Sequence, residues 1–291
     1  MLNQKQLCSS FLIPLIVISL ISLCSDSAKG AIDPELEGQI ERYIKSLRGK
    51  GAISGNERTA WLVYDFTTGQ KLVSINENTT LQAASMIKPY LALAFFHQVQ
   101  AGKLIYGPTS KRHMELMIQK SNNESTNWVM KQTGGPAATQ ALLKRYYPSL
   151  CQQIGLVEYI PSGGRTYRNM GSAGDYARYL NALWKGQLPQ SREILRLMAL
   201  PGIDRLYHDA KRVPTGTQVF NKTGSTAMCC GDMGILVVKG RNGRTYPYAV
   251  IGIIESGSRS TSYGTWISRR ADVIREVSNL TYLSMKKRHS L

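Results

Sequence analysis

The spacing of apolar and polar positions changes character several times along the chain. From Pro34 to Leu47, the residues Leu36, Ile40, Tyr43, Ile44 and Leu47 recur at helical intervals and predict an amphipathic helix. Thr59 to Tyr64 and Lys71 to Ile75 are short apolar runs joined by Asp65-Phe66-Thr67-Thr68-Gly69-Gln70, which reads as a hairpin. Ser85 to Gln100 is predicted to be a helix. Its apolar residues run almost all round, so it should be buried centrally. Pro89 falls in its first turns, where proline is tolerated best.

Between residues 110 and 200 the pattern stays helical. It is interrupted at Gly134-Gly135-Pro136 and by the polar stretch around Ser162-Gly163-Gly164-Arg165. Thr217 to Asn221, Met233 to Lys239 and Tyr246 to Ile254 then read as strands, with Arg241-Asn242-Gly243 as the turn between the last two. A final helix is expected from about Trp266 to Leu283.

Strands at both ends with helices inserted between them imply an α+β fold. The expected architecture is an antiparallel five-stranded sheet flanked by helices, plus an all-helical lobe. The sheet lobe should take about 31–84 and 212–291, and the helical lobe about 85–211. Their interface is the natural place for a cleft. No internal repeat or low-complexity linker interrupts this plan.

The first segment reads as a leader rather than as part of the fold. Lys5 supplies a positive start, and Phe11 to Leu23 is uncharged but shorter than the about 20 residues of a membrane-spanning helix. Ala28-Lys29-Gly30 offers a small-x-small cleavage site, so residues 1–30 are expected to be an export signal, placing the protein in the periplasm or outside the cell. Lipid anchoring at Cys24 is an alternative fate for the same segment. The formal net charge is +17. A leader ending near residue 30 removes two lysines and one aspartate, so the rest stays strongly basic. Such a surface suits anionic membrane or envelope polymer, or serves solubility alone. No nucleic-acid motif is present. Beyond the leader lie Cys151, Cys229 and Cys230, which leave open either one disulfide or three buried thiols. Neither cysteines nor histidines cluster at metal spacing, so no zinc site is expected.

Three short motifs occur in order: Ser85-Met86-Ile87-Lys88, Ser121-Asn122-Asn123 and Lys222-Thr223-Gly224. This is the S-x-x-K, S-D-N and K-T-G trio of penicillin-reactive serine enzymes, with asparagine in place of the aspartate. A serine hydroxyl is a poor nucleophile until a neighbouring base takes its proton. Lys88 lies about one helical turn beyond Ser85 and shares its face. A helix N-terminus and burial both disfavour an ammonium, which suits Lys88 to the role of base. The backbone N–H groups of Ser85 and Ser225 are candidates for an oxyanion hole. Gly224 should allow a substrate to approach its strand closely. Lys222, Thr223 and Ser225 are expected to hold a substrate carboxylate, with Arg259 as a further guanidinium for it. Ser121 suits a proton relay and Asn123 a side-chain amide contact.

With these residues in place, the chain resembles the serine β-lactamase and D,D-peptidase superfamily, and class A β-lactamases in particular. The likeness rests on Ala84-Ser85-Met86-Ile87-Lys88, on Ser121 to Trp128, on Gly134-Gly135-Pro136, on Asp175-Tyr176-Ala177 and on Pro214 to Gly224. It implies an acyl-enzyme mechanism on a β-lactam or a peptidoglycan peptide, without metal or organic cofactor, in a monomer. Three departures stand out. The stretch from Ser85 to Ser121 is shorter than in typical class A enzymes, which implies a more open cleft. Asn122 replaces an aspartate. The E-x-x-L-N signature of the omega loop is missing. Glu158 is the one acid between Glu124 and Asp175, and therefore the candidate for activating the deacylating water. The expectation is a class A-like β-lactamase. A D-alanyl-D-alanine peptidase is the first alternative, and a non-catalytic envelope binding module the second.

Overall fold

The structure, a computed structural model, describes residues 32–161 and 168–291. The expected leader with Cys24, and the polar stretch Ser162-Gly163-Gly164-Arg165, lie outside the described residues.

The chain opens with helix α1 (Pro34–Gly49), strands β1 (Glu57–Asp65) and β2 (Gln70–Ile75) and a short strand β3 (Leu81–Gln82). A 3-10 turn at Ala84–Ile87 leads into α2 (Lys88–Gln100), followed by α3 (Pro108–Gln119), α4 (Asn123–Gln132) and α5 (Gly135–Tyr146). Next come β4 (Met170–Gly171), α6 (Ala173–Trp184) and α7 (Ser191–Met198). Strands β5 (Gln218–Ser225), β6 (Cys229–Lys239) and β7 (Thr245–Ser256) and helix α8 (Tyr263–His289) complete it.

The five long strands form one antiparallel sheet in the order β2-β1-β7-β6-β5, as the sequence pattern predicts. Period-two alternation assigns its faces. Ala60 and Leu62 on β1, Ile235 on β6 and Ile251 and Ile253 on β7 pack with the helical block, chiefly α2 and α6. Trp61, Val63, Leu236, Val250 and Ile254 pack the opposite way, with Leu36, Ile40 and Ile44 of α1 and Ile274 and Val277 of α8. Both faces are covered, so the central strands are apolar along most of their length.

Several boundaries differ from the sequence expectation. Strand β6 begins at Cys229 rather than Met233, because Cys229 and Cys230 pair with Glu255 and Ile254 of β7. The predicted helix from Ser85 splits into a 3-10 turn and α2, and Pro89 sits in the first turn of the latter. Cys151, Cys229 and Cys230 are three buried free thiols. Cys229 and Cys230 are neighbours on one strand and therefore face opposite layers.

A buried ion pair fastens α8 to β1. Arg270 donates Nε and Nη2 to Glu57 Oε1 and Oε2 at 2.7 and 2.6 Å, a bidentate arrangement. The close fit around Trp61 is tested at Gly252. A Cβ there would lie 2.6 Å from Trp61 Cζ3, and a rigid buried ring cannot move aside. Gly252→Ala is expected to lower unfolding free energy by about 1–3 kcal/mol, read as a lower urea midpoint at unchanged slope.

Candidate active site

Ser85 lies in the 3-10 turn, half-buried, just ahead of α2. Ala84 before it has φ 45° and Ser121 has φ 54°. Left-handed non-glycine residues are strained and persist where surrounding structure holds them. Here they fix the backbone on both sides of one hydroxyl pair. The turn is wedged against β5: a Cβ on Gly224 would meet Ala83 O, Ala84 Cβ and Met86 Cγ, each at 3.1 Å. Gly224 therefore first serves the packing of β5 against the Ser85 turn, a closer reason than the substrate approach expected from sequence.

Ser121 joins α3 to α4, as the motif reading expects. Asn122 is the N-cap of α4 and accepts from Ser125 N at 2.7 Å, so the amide at this position retains a capping role. Ser121 Oγ donates to Ser85 Oγ at 2.8 Å. Lys88 Nζ reaches Ser121 O at 2.6 Å, Ser121 Oγ at 3.0 Å and Asn123 Oδ1 at 3.0 Å. The lysine is linked to Ser85 through Ser121.

Lys88 is 0% exposed. Burial, and then the nearby positive charge of Lys222, push its pKa well below the usual lysine range. Its partners suit an uncharged amine. Two of them, Ser121 O and Asn123 Oδ1, can only accept, and would take the amine's two hydrogens. The third, a hydroxyl, can turn its hydrogen toward the nitrogen lone pair. Ser85 can then donate to Ser121, which makes a continuous path for a proton from Ser85 to Lys88.

Lys222 lies beside this group on β5, 3% exposed, donating to Thr223 O at 3.1 Å. Burial lowers its pKa to about 8; Asp232 opposes that shift and Arg205 reinforces it. Arg205 is a site residue that sequence reasoning missed. It donates Nη2 to Ser225 Oγ at 2.6 Å and Nη1 to Gly231 O at 2.8 Å. It lies in the irregular segment between α7 and β5, where no periodic pattern exists to mark it. Asp232, also missed, lies just ahead of the Met233–Lys239 run expected as a strand, and the structure extends the strand through it. Arg259 is exposed on the loop after β7, and the guanidinium bonded to Ser225 belongs to Arg205. A small cavity of about 50 Å³ opens beside Ser121, Lys222 and Thr223 and is walled by Leu200, Gly202 and Ile203. A larger one, about 490 Å³, lies away from this chemistry between α1 and α8.

Glu158 lies on the segment that leads back to β4. Its Oε1 accepts from Arg168 N at 3.1 Å, and its own N donates to Asn169 Oδ1 at 3.1 Å. Asn169 O in turn accepts from Ala83 N at 2.8 Å, so the segment is tied to the chain just ahead of Ser85. Among the described residues, no hydrogen bond joins Glu158 to Ser85, Ser121 or Lys88. The Cys229 thiol donates to Gln82 O, with Sγ 3.3 Å away. Burial raises its pKa well above the ordinary value and keeps it an inert thiol. No group of acids, cysteines and histidines able to hold a metal occurs among the described residues.

Comparison with known proteins bears on the family and the fold. A model of the β-lactamase enzyme family matches residues 39–107 and 107–282. LppW of Mycobacterium tuberculosis and of Mycobacterium bovis, named as a lipoprotein, is 29% identical over 182 residues, 62% of this chain and 52% of the relative. The match thus spans about half the length of those relatives. Among solved structures, PBP-A is similar at a TM-score of 0.71 and 20% identity, over 89% of this chain and 98% of PBP-A. A leucine-to-glutamate variant of PBP-A, titled as an acyl-enzyme complex with penicillin G, gives 0.69 and 20%, over 88% and 99%. An ancestral class A β-lactamase gives 0.66 and 20%, over 84% and 100%. At these identities the structural likeness is one of fold. The family model, in contrast, matches most of the sequence, over a span within which all three motifs fall, and on that ground the chain belongs to the β-lactamase enzyme family.

Proposed function

We propose that this protein is a serine hydrolase that opens β-lactam rings through an acyl-enzyme at Ser85. The observation that carries the reading is the continuous hydrogen-bonded chain from Ser85 through Ser121 to a buried Lys88. The substrate carboxylate is received by Lys222, Thr223, Ser225 and Arg205, with Arg259 at the rim. Ser85 Oγ attacks the lactam carbonyl while its proton moves to Ser121 and that of Ser121 to Lys88. The N–H groups of Ser85 and Ser225 bind the developing oxyanion. The C–N bond breaks, Ser121 protonates the leaving nitrogen and is reprotonated by Lys88, and Ser85 is left as an ester. Asn123 holds Lys88 in place and meets the substrate amide. Water then hydrolyses the ester with help from Glu158. No step needs a metal or organic cofactor.

A second reading is a D-alanyl-D-alanine peptidase that acylates in the same way but releases penicillins slowly. It is favoured by the bond between Glu158 Oε1 and Arg168 N, which engages the proposed deacylation base elsewhere. The penicillin G acyl-enzyme named for the PBP-A variant supports acylation on this fold in either reading. The leader-like segment, the basic charge and the lipoprotein name of LppW support an exported protein, anchored through Cys24 or released, acting at the envelope.

Incubation with fluorescent penicillin is expected to label the protein at one site, and Ser85→Ala to abolish the label. The lifetime of the adduct separates the readings. With Glu158 as base, Glu158→Gln should lengthen it by about tenfold or more, while chromogenic cephalosporin turnover falls in proportion. In the peptidase reading the adduct persists equally in both proteins. A pH profile gives an independent test. Lys222 is cationic below about 8 and neutral above it. The second-order acylation constant should therefore fall as pH rises through that value, because the carboxylate loses its partner.

A further inference from the structure

Two lysines are buried side by side in this cleft, and the chemistry needs them in opposite charge states. Lys88 must be neutral to accept a proton, whereas Lys222 must be cationic to hold a carboxylate. Burial alone pushes both toward neutrality. Repulsion between two adjacent ammonium groups favours losing one proton, but does not choose which lysine loses it.

Asp232 breaks that symmetry. It is fully buried on β6, directly opposite Thr223 of the Lys222-Thr223-Gly224 motif. Its Oδ2 accepts from Arg205 N at 2.7 Å, and its two oxygens lie 3.0 and 3.1 Å from Asn221 Nδ2. Asn221 and Lys222 are neighbours on β5 and point to opposite faces of the sheet, so Asp232 reaches the lysine through the field rather than by contact. We propose that Asp232 is a positioning residue that assigns the charge: it holds Lys222 as the cation, leaves Lys88 as the base, and seats Arg205 where its guanidinium meets Ser225.

The charges around Asp232 support this assignment. Burial raises its own pKa to about 6, so it is ionised at neutral pH, where Arg205 favours the carboxylate and Asp204 disfavours it. Asp204 is engaged by His208. Cys230, the next titratable group on β6, is held as a thiol by burial, with its pKa raised to about 11. Of the charges acting on Lys222, Asp232 favours the cation and Arg205 opposes it. Lys88 feels Lys222 and gains no such support.

This inference rests on the reading that Lys222 receives a substrate carboxylate and Lys88 a proton, but its test does not need turnover. In the full chain carrying ¹³Cε-labelled lysine, NMR titration follows both side chains, assigned with Lys88→Arg and Lys222→Arg. Asp232→Asn should move the Lys222 midpoint down by about one pH unit or more, and the Lys88 midpoint up, since a weaker neighbouring cation repels it less. Asp232→Ser serves if the asparagine variant folds poorly. Unchanged midpoints in a folded variant, or both lysines shifting the same way, would overturn the assignment. In parallel, penicillin acylation of Asp232→Asn at pH 7.5 should slow about tenfold, with its basic limb moved to lower pH. A wild-type protein that penicillin does not acylate would refute the proposed reaction, while the lysine titration would still decide the role of Asp232.

Discussion

A lysine with no access to water, placed at the first turn of a buried helix, is the constraint around which this site is organised. Taking an ammonium out of water is costly, and the chain responds by surrounding Lys88 Nζ with three oxygens and a second buried cation. The oxygens satisfy a neutral amine, and burial, reinforced by the neighbouring cation, favours the neutral state. A buried base of this kind is expensive for stability and useful for catalysis, because its lone pair is available at neutral pH.

The fold supplies the rigidity this arrangement requires. Strand β5 packs closely on the Ser85 turn, where a Cβ at Gly224 would lie 3.1 Å from Ala83 O, Ala84 Cβ and Met86 Cγ. The serine of the second motif is held by the capped start of α4, and Asn169 ties the Glu158 segment to Ala83. Behind these contacts the sheet is clamped on both faces, by α2 and α6 on one side and by α1 and α8 on the other. Ser85, Ser121 and Lys88, all from the helical block, are thereby held together against β5 of the sheet.

Much of this was legible in the residues because β1, β6 and β7 stand out as short apolar runs, as strands covered on both faces must, and because the stripe of α1 marks the side it buries. The three motifs were legible for a chemical reason, as each puts a nucleophile, base or cation at a fixed offset. What stayed hidden depends on distance in space. Nothing about Ala84 announces a left-handed backbone, so the turn at Ser85 read as ordinary helix. Arg205 lies in irregular chain, and only folding carries it to Ser225. The apolar run marks β6 only from Met233, since glycine and aspartate are poor strand formers, yet Cys230 to Asp232 pair with both β5 and β7. Glu158 was readable by elimination, whereas its bond to Arg168 N was not.

The protonation of Lys88 tests the account most directly, and neutron diffraction from deuterated crystals at pH 7.5 would observe it. The account predicts two deuterons on Nζ, directed at Ser121 O and Asn123 Oδ1, with the Ser121 hydroxyl deuteron aimed at the nitrogen and that of Ser85 aimed at Ser121. Three deuterons on Nζ, with Ser121 donating to Ser85, would show a lysine unable to accept the proton and would contradict it.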